Sequence, residues 1–179
     1  GGVLTKLPLI GTAGNSQGVA WADYDNDGDL DAIVANGSAQ DEFLLRNDGG
    51  GALTKVPLTG TAGDSNGVSW GDYDNDGDID ALVANDSLGD EVLLRNDGGG
   101  ALTRVVLTGT GGASYGVAWG DYDNDGDLDA IVANANAEDE VLLRNDGGGI
   151  LTKIVMTGTA GNSLGVAWGD FDGDGDLDA

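Results

Sequence analysis

Four stretches of this chain alternate aspartate with other residues around a glycine. They read DYDNDGDLD at 23–31, DYDNDGDID at 72–80, DYDNDGDLD at 121–129 and DFDGDGDLD at 170–178. Carboxylates on alternate positions, bent round a glycine, make an oxygen cage suited to a hard divalent cation. In the first copy Asp23, Asp25 and Asp27 stand at loop positions 1, 3 and 5, and Gly28 at position 6 permits the sharp bend. The carbonyl of Asp29 at position 7 points inward and Asp31 at position 9 closes the shell. The same assignment falls on Asp72, Asp74, Asp76, Asp78 and Asp80, on Asp121, Asp123, Asp125, Asp127 and Asp129, and on Asp170, Asp172, Asp174, Asp176 and Asp178. Position 12 is Val34, Val83 or Val132 rather than a bidentate Glu, which excludes an EF-hand. Calcium is expected over magnesium, one ion per repeat and four in all, because magnesium demands a tighter octahedron and retains its waters. Two carboxylates about 5 Å apart at an effective dielectric near 20 repel by roughly 3 kcal/mol. An empty loop should therefore open, and cation binding should be coupled to folding.

The elements that position these loops repeat with them. Trp21, Trp70, Trp119 and Trp168 precede the four loops at intervals of 49 residues. Counting on that period gives units 1–49, 50–98 and 99–147 and a partial unit 148–179. Each complete unit carries four short β-branched runs bounded by Gly, Asn, Asp and Ser: LTKLPL (4–9), GVAWADY (18–24), DAIVAN (31–36) and EFLLRN (42–47) in the first. None is long enough for a three-turn helix. The NDGGG segments supply the positive-φ residues of a tight reversal. Pro8 and Pro57 mark the first run as an edge strand, since proline lacks a ladder donor. Four short antiparallel strands in about 40 to 50 residues describe a β-propeller-type blade, and an open, solenoid-like stack of such blades is the alternative. A blade cannot bury both faces alone, so neighbours must cover it.

Composition narrows function. The 179 residues hold 32 acidic and 7 basic side chains, no cysteine and no histidine, for a formal charge of −25. Nucleic acid and anionic membrane surfaces are excluded as partners, as are disulfides, thiolate or imidazole metal sites and histidine-based triads. No run is apolar enough for a membrane-spanning helix. Four equivalent loops are the opposite of a catalytic pair in contrasting environments, so no enzyme is expected.

GVAWADYDNDGDLDAIVAN followed by DEFLLRNDGG resembles the FG-GAP/VCBS repeat, related to the calcium-bearing blades of the integrin α-subunit propeller. Ser163–Ala179 lies nearest to that pattern. The resemblance implies a four-stranded blade with calcium in a hairpin loop at the rim, in secreted or cell-surface proteins. The Phe-Gly dipeptide of the family is Gln17-Gly18, Asn66-Gly67, Tyr115-Gly116 or Leu164-Gly165 here.

The expected role is an extracellular, calcium-stiffened structural or adhesive module. The chain opens in mid-repeat, so it is expected to self-associate or to continue in a longer repeat chain, as a larger propeller or a filament, with a protein or glycan ligand. A lectin-like propeller and a non-catalytic domain of a secreted enzyme are the alternatives. The tryptophans are expected to pack between blades, and Tyr24, Tyr73, Tyr122 and Phe171 to plug the core beneath the ions. Arg46, Arg95 and Arg144 either brace a neighbouring blade or stand exposed. Asn36-Gly37-Ser38 and Asn85-Asp86-Ser87 are glycosylation sequons in a surface loop.

Overall fold

A computed structural model describes Leu9 and residues 11–50, 52–86 and 89–179. Among the described residues there is no helix, and so none to cross a membrane. The described residues form twelve strands in three antiparallel four-stranded sheets, each a simple meander. The first holds β1 (Ser16–Ala22), β2 (Asp31–Asn36), β3 (Phe43–Asn47) and β4 (Leu53–Pro57). The second holds β5 (Ser65–Gly71), β6 (Asp80–Asn85), β7 (Val92–Asn96) and β8 (Leu102–Val106). The third holds β9 (Ser114–Gly120), β10 (Asp129–Asn134), β11 (Val141–Asn145) and β12 (Leu151–Val155).

Each sheet takes three strands from one 49-residue unit and the fourth from the next. The LTKVPL run pairs backwards through the NDGGG reversal, with Phe43 opposite Pro57 and Asn47 opposite Leu53. It is the outer edge strand, as Pro57 requires. The run 4–9 with Pro8 lies outside the described residues except for Leu9. Beyond β12 the fourth unit adds no named strand. It is held by isolated bridges of Gly161 to Glu138 and of Gly169 to Asp178.

The centre of each sheet is DAIVAN or DALVAN, buried along its whole length. Alternate side chains of such a strand point to opposite faces. Ala81 and Val83 of β6 meet Ile33 and Leu44 of the first sheet, while Leu82 packs with Ala130, Val132 and Leu143 of the third. A strand buried on both faces reads as a continuous apolar run, and each buried Val, Leu or Ile in it stabilises by about 1.5–3 kcal/mol.

The inner strands β1, β5 and β9 meet backbone to backbone. A β-carbon on Gly67 would lie 2.5 Å from the Tyr115 carbonyl oxygen, and one on Gly116 2.8 Å from the Gly165 Cα. Only glycine allows this approach. Gln17, Asn66 and Tyr115, just before these glycines, are the extra residues of a β-bulge in each inner strand.

The two sequon asparagines end β2 and β6 rather than standing in an open surface loop. Asn36 and Asn85 are buried, and each donates its side-chain N–H to a carbonyl five residues on, Asp41 and Asp90, at 2.8 Å. Asn134, which is in no sequon, does the same to Asp139. The recurring amide closes the β2–β3 type of connection.

Candidate metal centre

The first three acidic loops each join the first strand of a sheet to the second, the fourth is closed by the Gly169–Asp178 bridge, and their own carboxylates hold them in shape. Asp23 accepts the backbone N–H groups of Asp27 at 3.0 Å and Gly28 at 2.9 Å, and Asp27 accepts that of Asp29 at 2.9 Å. Asp72 and Asp121 repeat the pattern, and Asp170 accepts from Asp174 and Gly175. Asn26, Asn75 and Asn124 sit at position 4 with φ near +60°, and Gly28, Gly77 and Gly126 at position 6 near +95°. Asparagine and glycine tolerate that left-handed backbone.

Position 9 has a structural task. Asp31, Asp80 and Asp129 are fully buried. Asp80 accepts the N–H of Tyr73 at 3.1 Å and of Asn96 at 2.8 Å, tying the loop entrance to the end of β7. Burial, with Asp74 and Asp76 adding negative charge nearby, pushes the Asp80 carboxyl up to about 7. Asp31 and Asp129 are raised for the same first reason.

Position 3 is different. Asp25 Oδ1 and Asp74 Oδ1 are sealed from solvent with no hydrogen-bond partner. Burial raises both carboxyls, and neighbouring aspartates raise them further. A buried carboxylate oxygen without a donor costs several kcal/mol unless protonated or bound to a cation. Ligand oxygens of Asp23, Asp25 and Asp27 lie within 4.8 Å of one another, as do those of Asp72, Asp74 and Asp80 and of Asp121, Asp123 and Asp129. All-carboxylate donors in a flexible cage suit a hard cation, so the residues present fit a divalent ion.

The structure brings in acids that the loop motif does not contain. Asp97 lies with Asp74 and Asp76, and Asp146 with Asp123 and Asp125. Both come from the NDGGG reversal, whose Asn-Asp-Gly reads in sequence as a turn and nothing more. Arg95 pairs with Asp97 at 2.9 Å, as Arg46 does with Asp48 and Arg144 with Asp146. The arginines therefore brace an acid two residues on in their own blade, not a neighbouring blade. The side chains at position 7 have a partner of their own. The carboxylates of Asp78, Asp127 and Asp176 accept the side-chain amides of Asn26, Asn75 and Asn124 of the preceding loop at 2.7–2.8 Å.

Three of the four tryptophans pack between blades, and Trp21 departs from that expectation by standing exposed. Trp70 lies on Tyr24, Trp119 on Tyr73 and Trp168 on Tyr122, with ring centroids 6.3–6.4 Å apart. Tyr24 and Tyr73 are buried as core plugs, whereas Phe171 is 85% exposed. That last side chain departs from the expected plug.

Glycine-packed inner strands, meandering four-stranded sheets and one acidic loop per sheet define an all-β tandem-repeat protein. A scan against family models matches the FG-GAP-like repeat three times, at residues 23–83, 72–132 and 125–179. The chain belongs to that repeat family. Comparison with curated proteins gives no match.

Proposed function

We propose that this chain is a calcium-binding structural or adhesive module that works outside the cell, each blade held in shape by one calcium ion at its acidic loop. The observation that carries the reading is the pair Asp25 Oδ1 and Asp74 Oδ1, each shut away without a donor inside a cluster of carboxylates. Asp23, Asp25, Asp27 and Asp31 and their counterparts would hold the ion, with the position 7 carbonyls, and Asp97 and Asp146 would lie at its edge. The ion supplies charge neutralisation. The family supports an extracellular setting, in which FG-GAP-like repeats typically serve.

The blades form part of a larger propeller or open stack, continued by further repeats or by other copies. Trp21, 54% exposed, and Phe171 stand at the two outer faces, where the side chains of a neighbouring blade would pair with them. No enzymatic activity is assigned, because the loops repeat one motif rather than set a pair of acids in contrasting environments.

Calorimetric titration of the chelator-stripped chain with calcium chloride tests the reading. Four ions per chain are expected. No heat and no binding would refute it.

A further inference from the structure

The loops are not independent of one another. The Asn26 amide donates to Asp78 Oδ1 at 2.8 Å, across 52 residues and between two blades. Asn26 stands between Asp25 and Asp27, two candidate ligands of the first loop. Asp78 in turn donates its backbone N–H to Asp76 Oδ1 at 2.9 Å, and Asp76 is a candidate ligand of the second. The same relay runs from Asn75 to Asp127 and on to Asp125, and from Asn124 to Asp176 and on to Asp174. One polar contact therefore links the ligand set of each loop to that of the next, three times in a row. Gly173 occupies position 4 of the fourth loop and has no amide to pass on.

A second contact ties the same pair of loops. The Asn96 amide donates to the Tyr24 carbonyl at 2.8 Å and that of Asn145 to the Tyr73 carbonyl at 2.7 Å. The backbone N–H groups of these two asparagines hold Asp80 and Asp129. The position 9 acid of one loop is thus braced by a residue that also grips the backbone of the loop before it.

We propose that these asparagines couple the metal loops in series, so that calcium bound in one loop raises the affinity of its neighbours. The inference rests on the calcium reading above. A cation drawing Asp25 and Asp27 inward fixes Asn26 between them, which fixes Asp78 and so pre-forms Asp76. Ordering already done by the first ion need not be repeated for the second. The effect is reciprocal by linkage, so the second loop favours the first by the same factor.

The test follows the backbone amide resonances of Gly28, Gly77, Gly126 and Gly175, one per loop, as calcium chloride is added to the chelator-stripped 179-residue chain. A comparison is made with Asn75→Gly, which copies the residue of the fourth loop at a position whose φ of +58° glycine adopts freely. In the parent chain the four resonances are expected to respond over one steep, shared range. In the variant, the midpoints of Gly77 and Gly126 should separate by about fivefold or more, the lower end of common coupling factors. Gly28 and Gly77, whose link is untouched, should stay together. Unlinked curves in the parent chain, or superimposed curves in the variant, would overturn the coupling while leaving calcium binding in place. No response at any glycine would overturn both.

Discussion

Trp70 reaches back fifty residues to donate its indole N–H to the Ala20 carbonyl at 3.1 Å, while its ring lies on Tyr24. Trp119 does the same to Ser69 and Trp168 to Ala118. Each tryptophan belongs to one blade and completes the one before it, so blade stacking depends on the loop-flanking residue itself.

Replacing a stacked tryptophan should therefore cost far more than replacing the unstacked one. Trp119→Ala is expected to lose about 3 kcal/mol or more of unfolding free energy. Trp21→Ala, at the face where no described ring covers it, should change stability by no more than about 0.5 kcal/mol. Urea unfolding of both variants in excess calcium reads the difference, and equal losses would refute the role assigned to the stack.

The glycine column makes a second contrast. Gly67→Ala places a methyl 2.5 Å from the Tyr115 oxygen and should cost about 1–3 kcal/mol as the inner strands are pushed apart. Gly165→Ala meets nothing within 4 Å and should be tolerated. Thermal midpoints of the two variants decide it.

Two buried glutamates set a pH dependence away from the loops. Ser65 Oγ lies 2.5 Å from Glu42 Oε1 and 2.7 Å from Asn85 Oδ1, and the Asn85 amide is already committed to Asp90. One hydroxyl proton cannot serve both acceptors, so a protonated Glu42 satisfies the group better. Glu91, Ser114 and Asn134 repeat the arrangement. Burial raises both carboxyls above their ordinary value of 4.5, against the lowering effect of the serine and threonine hydrogen bonds and, at Glu91, of Lys153. Asp41 adds to the rise at Glu42. A raised folded-state pKa means that the folded chain keeps protons the unfolded chain has released. Stability from these groups is then fully present below about 4.5 and falls as pH rises through the higher folded-state values. Glu91→Gln should flatten that decline above pH 5 at saturating calcium, as followed by urea midpoints. A slope unchanged by the substitution would contradict it.

Asp97 separates ligand from turn. Asp97→Asn keeps the turn residue type but removes a charge beside Asp74 and Asp76. The exposed Arg95 pair it breaks contributes about 0–1 kcal/mol. Calcium affinity at the second loop should fall by roughly tenfold, as is typical for residues supporting a metal site, with little change in the melting of chelated protein. The Gly77 amide reports the affinity, and an unaltered midpoint would return Asp97 to a turn residue.

The strands were legible because β-branched runs of five to seven residues between Gly, Asn and Asp have few other outcomes. DAIVAN matches β2 residue for residue, while GVAWADY ends two residues late because the loop takes its last residues for itself. The phase of the blades was not legible. Whether LTKVPL opens one sheet or closes another depends on which way the NDGGG reversal folds, and periodicity is silent on that. Asp97, the asparagine relay and the Glu42–Ser65 contact lie 20 or more residues from their partners, or hide within a plausible turn, so no local pattern announces them. The tryptophan stack was legible because a large aromatic at a fixed phase of a stacked repeat has an interface as its simplest home.

The most direct measurement is thermal unfolding of the full chain with saturating calcium and with excess chelator. The loops cluster like charges, and the first two seal a donor-free oxygen at Asp25 and Asp74, so removing the cation should lower the midpoint by many degrees and broaden the transition. Coincident melts under the two conditions would mean that the aspartate loops hold their shape without a metal.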